Sequence, residues 1–162
     1  MRIGSHVSTR NGYREAARSA VAIGGSAFQY FPKNPRSLNI KAFDRRDAGQ
    51  CAEWCREHGV SSVAHGPYPV NPAAEGEAAR KMAASTLNDL DIAEACGSIG
   101  VVVHFGVYRG NDPLQGYRNV IQWINSVTSV WEGQARLLLE NQAGDHGPFG
   151  TTPEELTQIR SL

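Results

Sequence analysis

Short apolar segments alternate with longer stretches of helical periodicity along the chain. The short segments predict five strands, at residues 2–5, 26–31, 61–65, 100–104 and 136–140. The longer stretches predict helices at residues 11–23, 44–57, 75–95 and 114–130. This alternation is typical of repeated βα units, which build a parallel sheet.

Local signals mark where two of the helices begin or end. Thr152, Pro153 and Glu155 form a capping box with proline in the first turn, so a fifth helix is predicted to open there. Gly97 is expected to end the third helix, because glycine favours the left-handed backbone found after a helix. No linker or low-complexity tract divides the chain, so we expect residues 1–162 to form a single domain.

Five parallel strands are compatible with two α/β architectures. The length of 162 residues favours an open doubly wound sheet over a TIM (β/α)8 barrel, which typically needs about 250 residues. The first turn, GSHVSTRNG, however lacks the glycine spacing of a dinucleotide-binding loop, and no GxxxxGK motif occurs. Polar residues at the strand ends decide in favour of a TIM-type barrel, of which this chain would supply about five βα units.

Composition narrows the classes of partner. The 16 basic residues balance the 16 acidic ones, so phosphate binding would need a local patch rather than a global field. No segment reaches the roughly 20 apolar residues of a membrane span, and the N-terminus has no apolar core of a signal peptide. We therefore expect a soluble, cytoplasmic protein with no membrane partner.

Cysteine spacing leaves two interpretations open. Cys51 and Cys55 lie four residues apart in a helical pattern, which argues against a disulfide framework. With His58 they share one helical face, an arrangement that also suits a metal ion. No fourth ligand is evident nearby, and cysteine is commonly buried, so a packing face is favoured.

Three residues of metal-ligand type end three successive predicted strands. His65 ends SSVAH, His104 ends VVVH and Glu140 ends LLLE. In a parallel barrel the carboxyl ends of the strands meet at one face, where catalytic groups assemble. Two imidazoles and a carboxylate there predict a catalytic metal site with a position open for water. His6, at the end of the first predicted strand, is expected at the same rim.

Four segments, in order along the chain, resemble the endonuclease IV family. GSHVSTRNGY is similar to the family's opening GAHVSxxGG, FPKNPR to its KNxR loop, HGPYPVN to its HxxYxIN segment and ENQAG to its ENTAG segment. The resemblance implies a TIM barrel with three zinc ions at its mouth. It also implies DNA repair by hydrolysis of the phosphodiester 5′ to an abasic site in double-stranded DNA.

The resemblance implies one set of metal ligands. His65 and His104 would bind one zinc together with Glu140, which would also bridge to a second zinc and is the predicted catalytic residue. The family's remaining ligands lie on later strands that this chain does not contain. We therefore expect the chain to carry ligands for about one zinc, although the same donors accept Mn or Fe.

A second set of residues is implied to contact DNA. Arg36 and Tyr68 would reach into the duplex at the lesion, where a planar cation and a flat ring can stabilise an extruded nucleotide. Lys33 and Asn34 would be supporting phosphate contacts. His6 is expected to contact the substrate or to support the ligands.

Two positions depart from the family's usual pattern. Phe105 stands where proline is common, and Gln142 stands where threonine is common. Neither replaces a ligand, so altered loop shape or substrate contact is expected.

A sheet of five strands would expose two edges and the inner barrel face. We therefore expect the isolated chain to self-associate or be unstable, with little or no activity.

Two alternative functions are also compatible with the sequence. A xylose-isomerase-like sugar isomerase or epimerase would share the metal at the rim, since fold alone does not decide function. Arg36 and Tyr68, which a small sugar pocket does not require, argue against it. A non-catalytic module would bind DNA through residues 33–36 without cleaving it, although zero net charge argues against strong nonspecific binding.

Overall fold

A computed structural model describes residues 1–145 and 147–161, and strands and helices alternate strictly within them. The strands are β1 (Gly4–Val7), β2 (Ala27–Tyr30), β3 (Ser61–His65), β4 (Gly100–His104) and β5 (Arg136–Glu140). The helices are α1 (Tyr13–Ala22), α2 (Arg45–His58), α3 (Gly76–Ala95), α4 (Pro113–Thr128) and α5 (Pro153–Ser161). The predicted βα repeats are confirmed.

The five described strands form one parallel sheet in the order β1-β2-β3-β4-β5. Each strand therefore neighbours the next strand in the chain. A doubly wound sheet instead reverses its strand order at a switch point, whereas strands follow one another around a barrel. The sheet confirms the predicted TIM-type architecture, with five βα units in the described residues.

The two faces of the sheet differ in burial because side chains alternate along each strand. On one face Phe28, Tyr30, Ala64, Val101 and Val103 are buried in the main apolar core. This core includes side chains of α1, α2, α3 and α4. The alternate residues, Gln29, Val63, Val102 and Leu138, are only half-buried. Helix packing on one face thus leaves the other as the inner face of the barrel.

The first strand was predicted two residues too early. The prediction placed it at residues 2–5, but β1 starts at Gly4 and pairs in register with β2 from Ala27 onward. Ile3 suggested a buried strand residue, yet it is 62% exposed. As a consequence His6 lies within β1 rather than after it. The boundaries of β3, β4 and β5 agree with the prediction.

Capping groups fix the helix ends. The Asp44 side chain accepts hydrogen bonds from the backbone of Arg46 and Asp47 at the start of α2. At α5 the predicted capping box is confirmed, since the Thr152 Oγ1 accepts from Glu155 N at 3.2 Å and the Glu155 carboxylate accepts from Thr152 N at 2.9 Å. Gly97 follows α3 with φ of 66°, as its predicted role requires.

The cysteines pack inside the protein. Cys51, Cys55 and Cys96 are all free and buried, and His58 instead stacks on Trp54 with ring centroids 3.9 Å apart. Among the described residues, the cluster of three or more potential metal ligands lies elsewhere, at the strand ends. The packing interpretation is therefore supported. None of the described helices is long and apolar enough to cross a membrane.

Candidate metal centre

Strand register brings the three predicted ligands together. His104 and Glu140 are direct neighbours across β4 and β5, and His65 pairs with Val102, two residues before His104. Because side chains alternate, all three point to the same face of the sheet. The Nε2 atoms of His65 and His104 lie 3.5 Å and 3.9 Å from Oε2 of Glu140. The three ligand atoms all lie within 4.8 Å of one another.

A backbone contact orients His65. Its Nδ1 atom lies 2.7 Å from the carbonyl oxygen of Gly66. A carbonyl oxygen only accepts, so Nδ1 donates and the neutral ring keeps its free lone pair on Nε2. The Gly66 N–H in turn donates to the Val102 carbonyl oxygen at 2.7 Å. Metal-binding histidines typically donate such a hydrogen bond from the ring nitrogen that does not bind the metal.

The donor set fits a divalent ion of the zinc class. Ligand atoms about 2.0–2.2 Å from one tetrahedral ion are separated by roughly 3.3–3.6 Å. The observed separations of 3.5 Å and 3.9 Å from the Glu140 oxygen are close to that range. The side chains of His104 and Glu140 are about half exposed, so a ligand from solvent can reach both.

A glycine and an asparagine hold the loop that follows His104. Gly106 has φ of 97°, and a Cβ atom there would overlap the side-chain oxygen of Asn71. That oxygen accepts from the N–H groups of Val107 and Ala73 at 3.0 Å and 3.1 Å, while the Asn71 amide donates to the Val107 carbonyl oxygen at 3.0 Å. Asn71 therefore ties the loop after β3 to the loop after β4.

Both departures from the family pattern make contacts beside the cluster. Phe105 is fully buried in a small second core, and its backbone N–H donates to the carbonyl oxygen of Glu140 at 2.9 Å. Proline has no N–H, so Phe105 adds a hydrogen bond that proline cannot make. The Gln142 side chain donates to the carbonyl oxygen of Gly106. These contacts link the loops after β4 and β5.

A polar cavity of about 660 Å³ opens next to the cluster. Its lining includes Tyr68, His104, Glu140, Asn141 and Asp145. A second groove, of about 580 Å³, lies outside the sheet between α3 and α4 and contains none of the predicted site residues. The chemistry at the strand ends therefore favours the first cavity as the candidate substrate site.

The opening of this cavity beside the cluster, called the mouth below, is lined by exposed Tyr68, and Arg36 is exposed on the neighbouring loop. The Tyr68 side chain is 60% exposed, and its backbone N–H donates to the carbonyl oxygen of Pro35 at 2.8 Å. Phe31 lies between Tyr68 and His65, with ring centroids 5.2 Å from each. The loop that carries Arg36 is thus fastened directly to the loop that carries Tyr68, next to the cluster.

Lys33 does not occupy the position that its expected role requires. Its ammonium is buried, 3.0 Å from Oδ1 of Asp89 and 2.6 Å from the carbonyl oxygen of Ser85. The Lys33 ammonium is held by these buried partners and presents no donor at the surface. The prediction that Lys33 contacts phosphate is therefore wrong. Asn34 stays exposed, and its side-chain oxygen accepts from the Arg36 N–H at 2.9 Å. Asn34 therefore supports the turn that presents Arg36.

His6 lies beside the cluster rather than in it. Its Nδ1 atom is 3.2 Å from the side-chain oxygen of Gln29, and its ring centroid is 4.6 Å from that of Phe31. Phe31 therefore separates His6 from His65. The supporting roles of Phe31, Gly66 and Asn71 were not predicted, although each lies within or next to a segment that resembles the family.

Comparisons with known proteins give one consistent result. Residues 17–161 match the xylose isomerase-like TIM barrel family. The chain is 35% identical to a probable endonuclease 4 of Symbiobacterium thermophilum, and the match covers 99% of this chain and 59% of that protein. It is 34% identical to a probable endonuclease 4 of Akkermansia muciniphila, over 97% of this chain and 57% of that one.

Solved structures agree with these relatives. Endonuclease IV from Thermus thermophilus superposes with a TM-score of 0.81 at 33% identity, over 98% of this chain and 58% of that one. A D-tagatose 3-epimerase-like protein superposes with a TM-score of 0.71 at 20% identity, a likeness in fold alone. The chain thus spans 57% to 60% of the length of these relatives.

Proposed function

Because the chain belongs to the xylose isomerase-like TIM barrel family, we propose that it forms part of an endonuclease IV-like nuclease. The proposed substrate is double-stranded DNA with an abasic site, and the reaction is hydrolysis of the phosphodiester 5′ to that site. The relatives named endonuclease 4 support this class of reaction. Cytoplasmic DNA repair is the corresponding biological setting.

The observation that carries the proposal is the position of the cluster relative to exposed Arg36 and Tyr68. A metal site alone is shared by many barrels with different chemistries. Here the aromatic ring of Tyr68 lines the mouth, and exposed Arg36 lies on a loop joined to the Tyr68 loop by a backbone hydrogen bond. Such groups suit phosphate and an unstacked base or sugar better than a small free sugar. With zero net charge, DNA binding would depend on this local surface.

His65, His104 and Glu140 are proposed to hold one divalent ion, zinc being the expected metal. When bound, such an ion supplies a Lewis acid for a phosphoryl oxygen. The chain's own contribution is orientation. Gly66 holds His65 with Nε2 turned toward the cluster, and the Phe105 N–H fixes the backbone of Glu140. Glu140 is the proposed catalytic residue because its carboxylate is half exposed beside both imidazoles.

The remaining site residues are proposed to bind the DNA. Arg36 would contact phosphate or the base stack, and Tyr68 would form a flat wedge against the extruded nucleotide. His6 and Asn34 would contribute from the edge of the same surface. Lys33 has no direct role in this proposal because its ammonium is buried.

The test compares binding and nicking of two fluorescent duplexes, one with a single abasic site and one undamaged. In the presence of zinc we expect the chain to prefer the abasic duplex. Arg36→Ala and Tyr68→Ala should each weaken that binding about tenfold, the loss expected for one stacking contact. Arg18→Ala is the matched control, since this exposed arginine pairs with Glu15 on α1, outside the mouth.

Equal binding of both duplexes, or equal losses in Arg18→Ala and Arg36→Ala, would contradict the proposal. Zinc-dependent nicking that disappears in His65→Ala/His104→Ala would show that the chain cleaves by itself. Preference for the abasic duplex without nicking would favour the non-catalytic DNA-binding alternative for the isolated chain.

A further inference from the structure

The pair between Lys33 and Asp89 is almost completely removed from solvent. The two side chains are 3% and 0% exposed, and the ammonium lies 3.0 Å from the carboxylate. Lys33 lies in the β2–α2 loop, residues 31–44, and Asp89 lies on α3. The ammonium also donates to the Ser85 carbonyl oxygen on the same helix at 2.6 Å. One lysine therefore fastens the loop to the interior side of α3.

The loop is attached to α3 at a second point. The backbone N–H of Lys41 donates to the side-chain oxygen of Asn88 at 2.9 Å, and the Asn88 amide donates to the Lys41 carbonyl oxygen at 3.1 Å. Just beyond the loop, at the start of α2, Arg45 pairs with Asp91 at 2.7 Å on the surface. One stretch of α3 thus contacts the loop and its far end, and Asp89 supplies the buried charge.

The free part of the loop carries the proposed DNA contacts. Asn34 follows Lys33 directly and Arg36 lies three residues after it, and the Pro35 carbonyl oxygen accepts the Tyr68 N–H at 2.8 Å. A shift of Lys33 would therefore displace Arg36 and loosen the hydrogen bond that joins the two DNA-contacting loops. Asp89 itself is fully buried and has no access to DNA.

We propose that Asp89 is a positioning residue for DNA binding, which acts by holding Lys33 and so places Arg36 and Tyr68 in one surface. The inference rests on the proposed function. It assigns a role to a residue on α3 that lies outside the cluster, outside the mouth and outside the segments that resemble the family.

The pair is a costly way to stabilise a fold. Burial raises the pKa of Asp89 to about 7, although the Lys33 ammonium opposes that shift. Burial likewise lowers the pKa of Lys33 against the opposing effect of Asp89. Desolvation therefore outweighs attraction for both partners. Apolar residues often replace such pairs without loss of stability, so retaining the charges is better explained by a demand for one loop conformation.

The decisive variant is Asp89→Asn, which keeps the side-chain size and removes the negative charge. Binding of the abasic duplex should weaken about tenfold, as expected for the loss of one stacking contact. If Asp89 acted only through its charge, the variant would bind DNA equally or more tightly, because the chain would carry one negative charge fewer against a polyanion. Zinc binding should stay unchanged, since the cluster is untouched.

Two further measurements report on the loop without DNA. Lys33 should be protected from an amine-acylating reagent in the wild type and become labelled in Asp89→Asn, as peptide mass spectrometry would show. Hydrogen exchange of the loop amides should accelerate in the variant, while exchange in the strands stays unchanged. Asp91→Asn is the matched control, because it removes a carboxylate from the same helix at an exposed ion pair. It should leave Lys33 labelling and the exchange of the amides next to Lys33 as in the wild type, with DNA binding equal to the wild type or tighter.

Unchanged Lys33 protection together with unchanged or tighter DNA binding in folded Asp89→Asn would overturn the inference. If that variant fails to fold, Lys33→Met replaces it, and loop exchange equal to the wild type would then overturn the inference. If the wild type itself shows no preference for abasic DNA, the proposed function fails. Labelling and exchange would still decide whether Asp89 positions the loop.

Discussion

The cluster at the strand ends and the buried Lys33–Asp89 pair differ in what surrounds their polar atoms. Both combine a carboxylate with nitrogen groups within 4 Å. At the cluster, His104 and Glu140 are about half exposed, and both line the cavity at the mouth. At the pair, almost no side-chain surface remains for a ligand, since the two side chains are 3% and 0% exposed. The first arrangement can bind a partner from solvent, whereas the second can only hold the protein's own chain.

This difference shows how one loop contains two kinds of basic residue. Lys33 and Arg36 lie three positions apart in FPKNPR, yet one is buried and the other exposed. A lysine fixed inside holds the loop, while the arginine three residues later stays exposed between the attachments at Lys33 and Lys41. The function of such a motif therefore depends on which charges have a partner inside the fold.

The largest expected effect comes from breaking the buried pair on one side. Asp89→Leu should lower the free energy of unfolding by about 3–5 kcal/mol, because it leaves the Lys33 charge buried without a counter-ion. The double variant Lys33→Met/Asp89→Leu should recover most of that loss, since no charge remains to be desolvated. Urea unfolding of both variants checks this. Equal destabilisation by the single and double variants would mean that packing, rather than charge, holds the loop to α3.

A smaller effect is expected at a carboxylate that is neither deeply buried nor at the mouth. Glu155 accepts hydrogen bonds from Tyr117 Oη and from the N–H groups of Gly150, Thr151 and Thr152. Burial alone would raise its pKa, but these hydrogen bonds outweigh burial and lower the pKa to about 2. Glu155→Gln should therefore cost about 1.5–2 kcal/mol at neutral pH, the lower part of the usual range for hydrogen bonds to a charged group.

The pH dependence of this variant has a defined sign. A carboxyl with a lowered pKa in the folded state stabilises the protein above its unfolded pKa, and that contribution is lost as the pH falls through the folded value. The difference between wild type and Glu155→Gln should thus shrink from about pH 4.5 downward toward pH 2. Denaturant unfolding at several pH values measures it. A difference that grows on acidification would rule out the proposed hydrogen bonding.

Strand ends and their chemistry were predictable because they depend on local pattern. The runs that end in His65, His104 and Glu140 are apolar and bounded by polar residues, and parallel strands converge at their carboxyl ends. The first strand was misplaced because the apolar residue beside it, Ile3, is exposed at the sheet edge, while the polar residues of β1 pair with β2. An edge strand thus breaks the usual link between apolar sequence and burial.

The support of the site was not predictable from the sequence. The partner of Lys33 lies on α3, far along the chain, and no local signal connects the two. The orientation of His65 likewise depends on a backbone carbonyl, which any residue type provides. Residue types at strand ends therefore indicate what chemistry is present, while contacts distant in sequence determine which side chains remain free to perform it.

Anomalous diffraction at the zinc absorption edge, on crystals of the chain grown with zinc, would locate an ion at the strand ends. We expect one strong peak about 2.0–2.2 Å from Nε2 of His65, Nε2 of His104 and a carboxylate oxygen of Glu140. The peak should disappear in His65→Ala/His104→Ala and persist in the control His58→Ala, whose ring stacks on Trp54 away from the cluster. Wild-type crystals without a peak at the strand ends, or with a peak at Cys51 and Cys55 instead, would show that His65, His104 and Glu140 do not form the metal site.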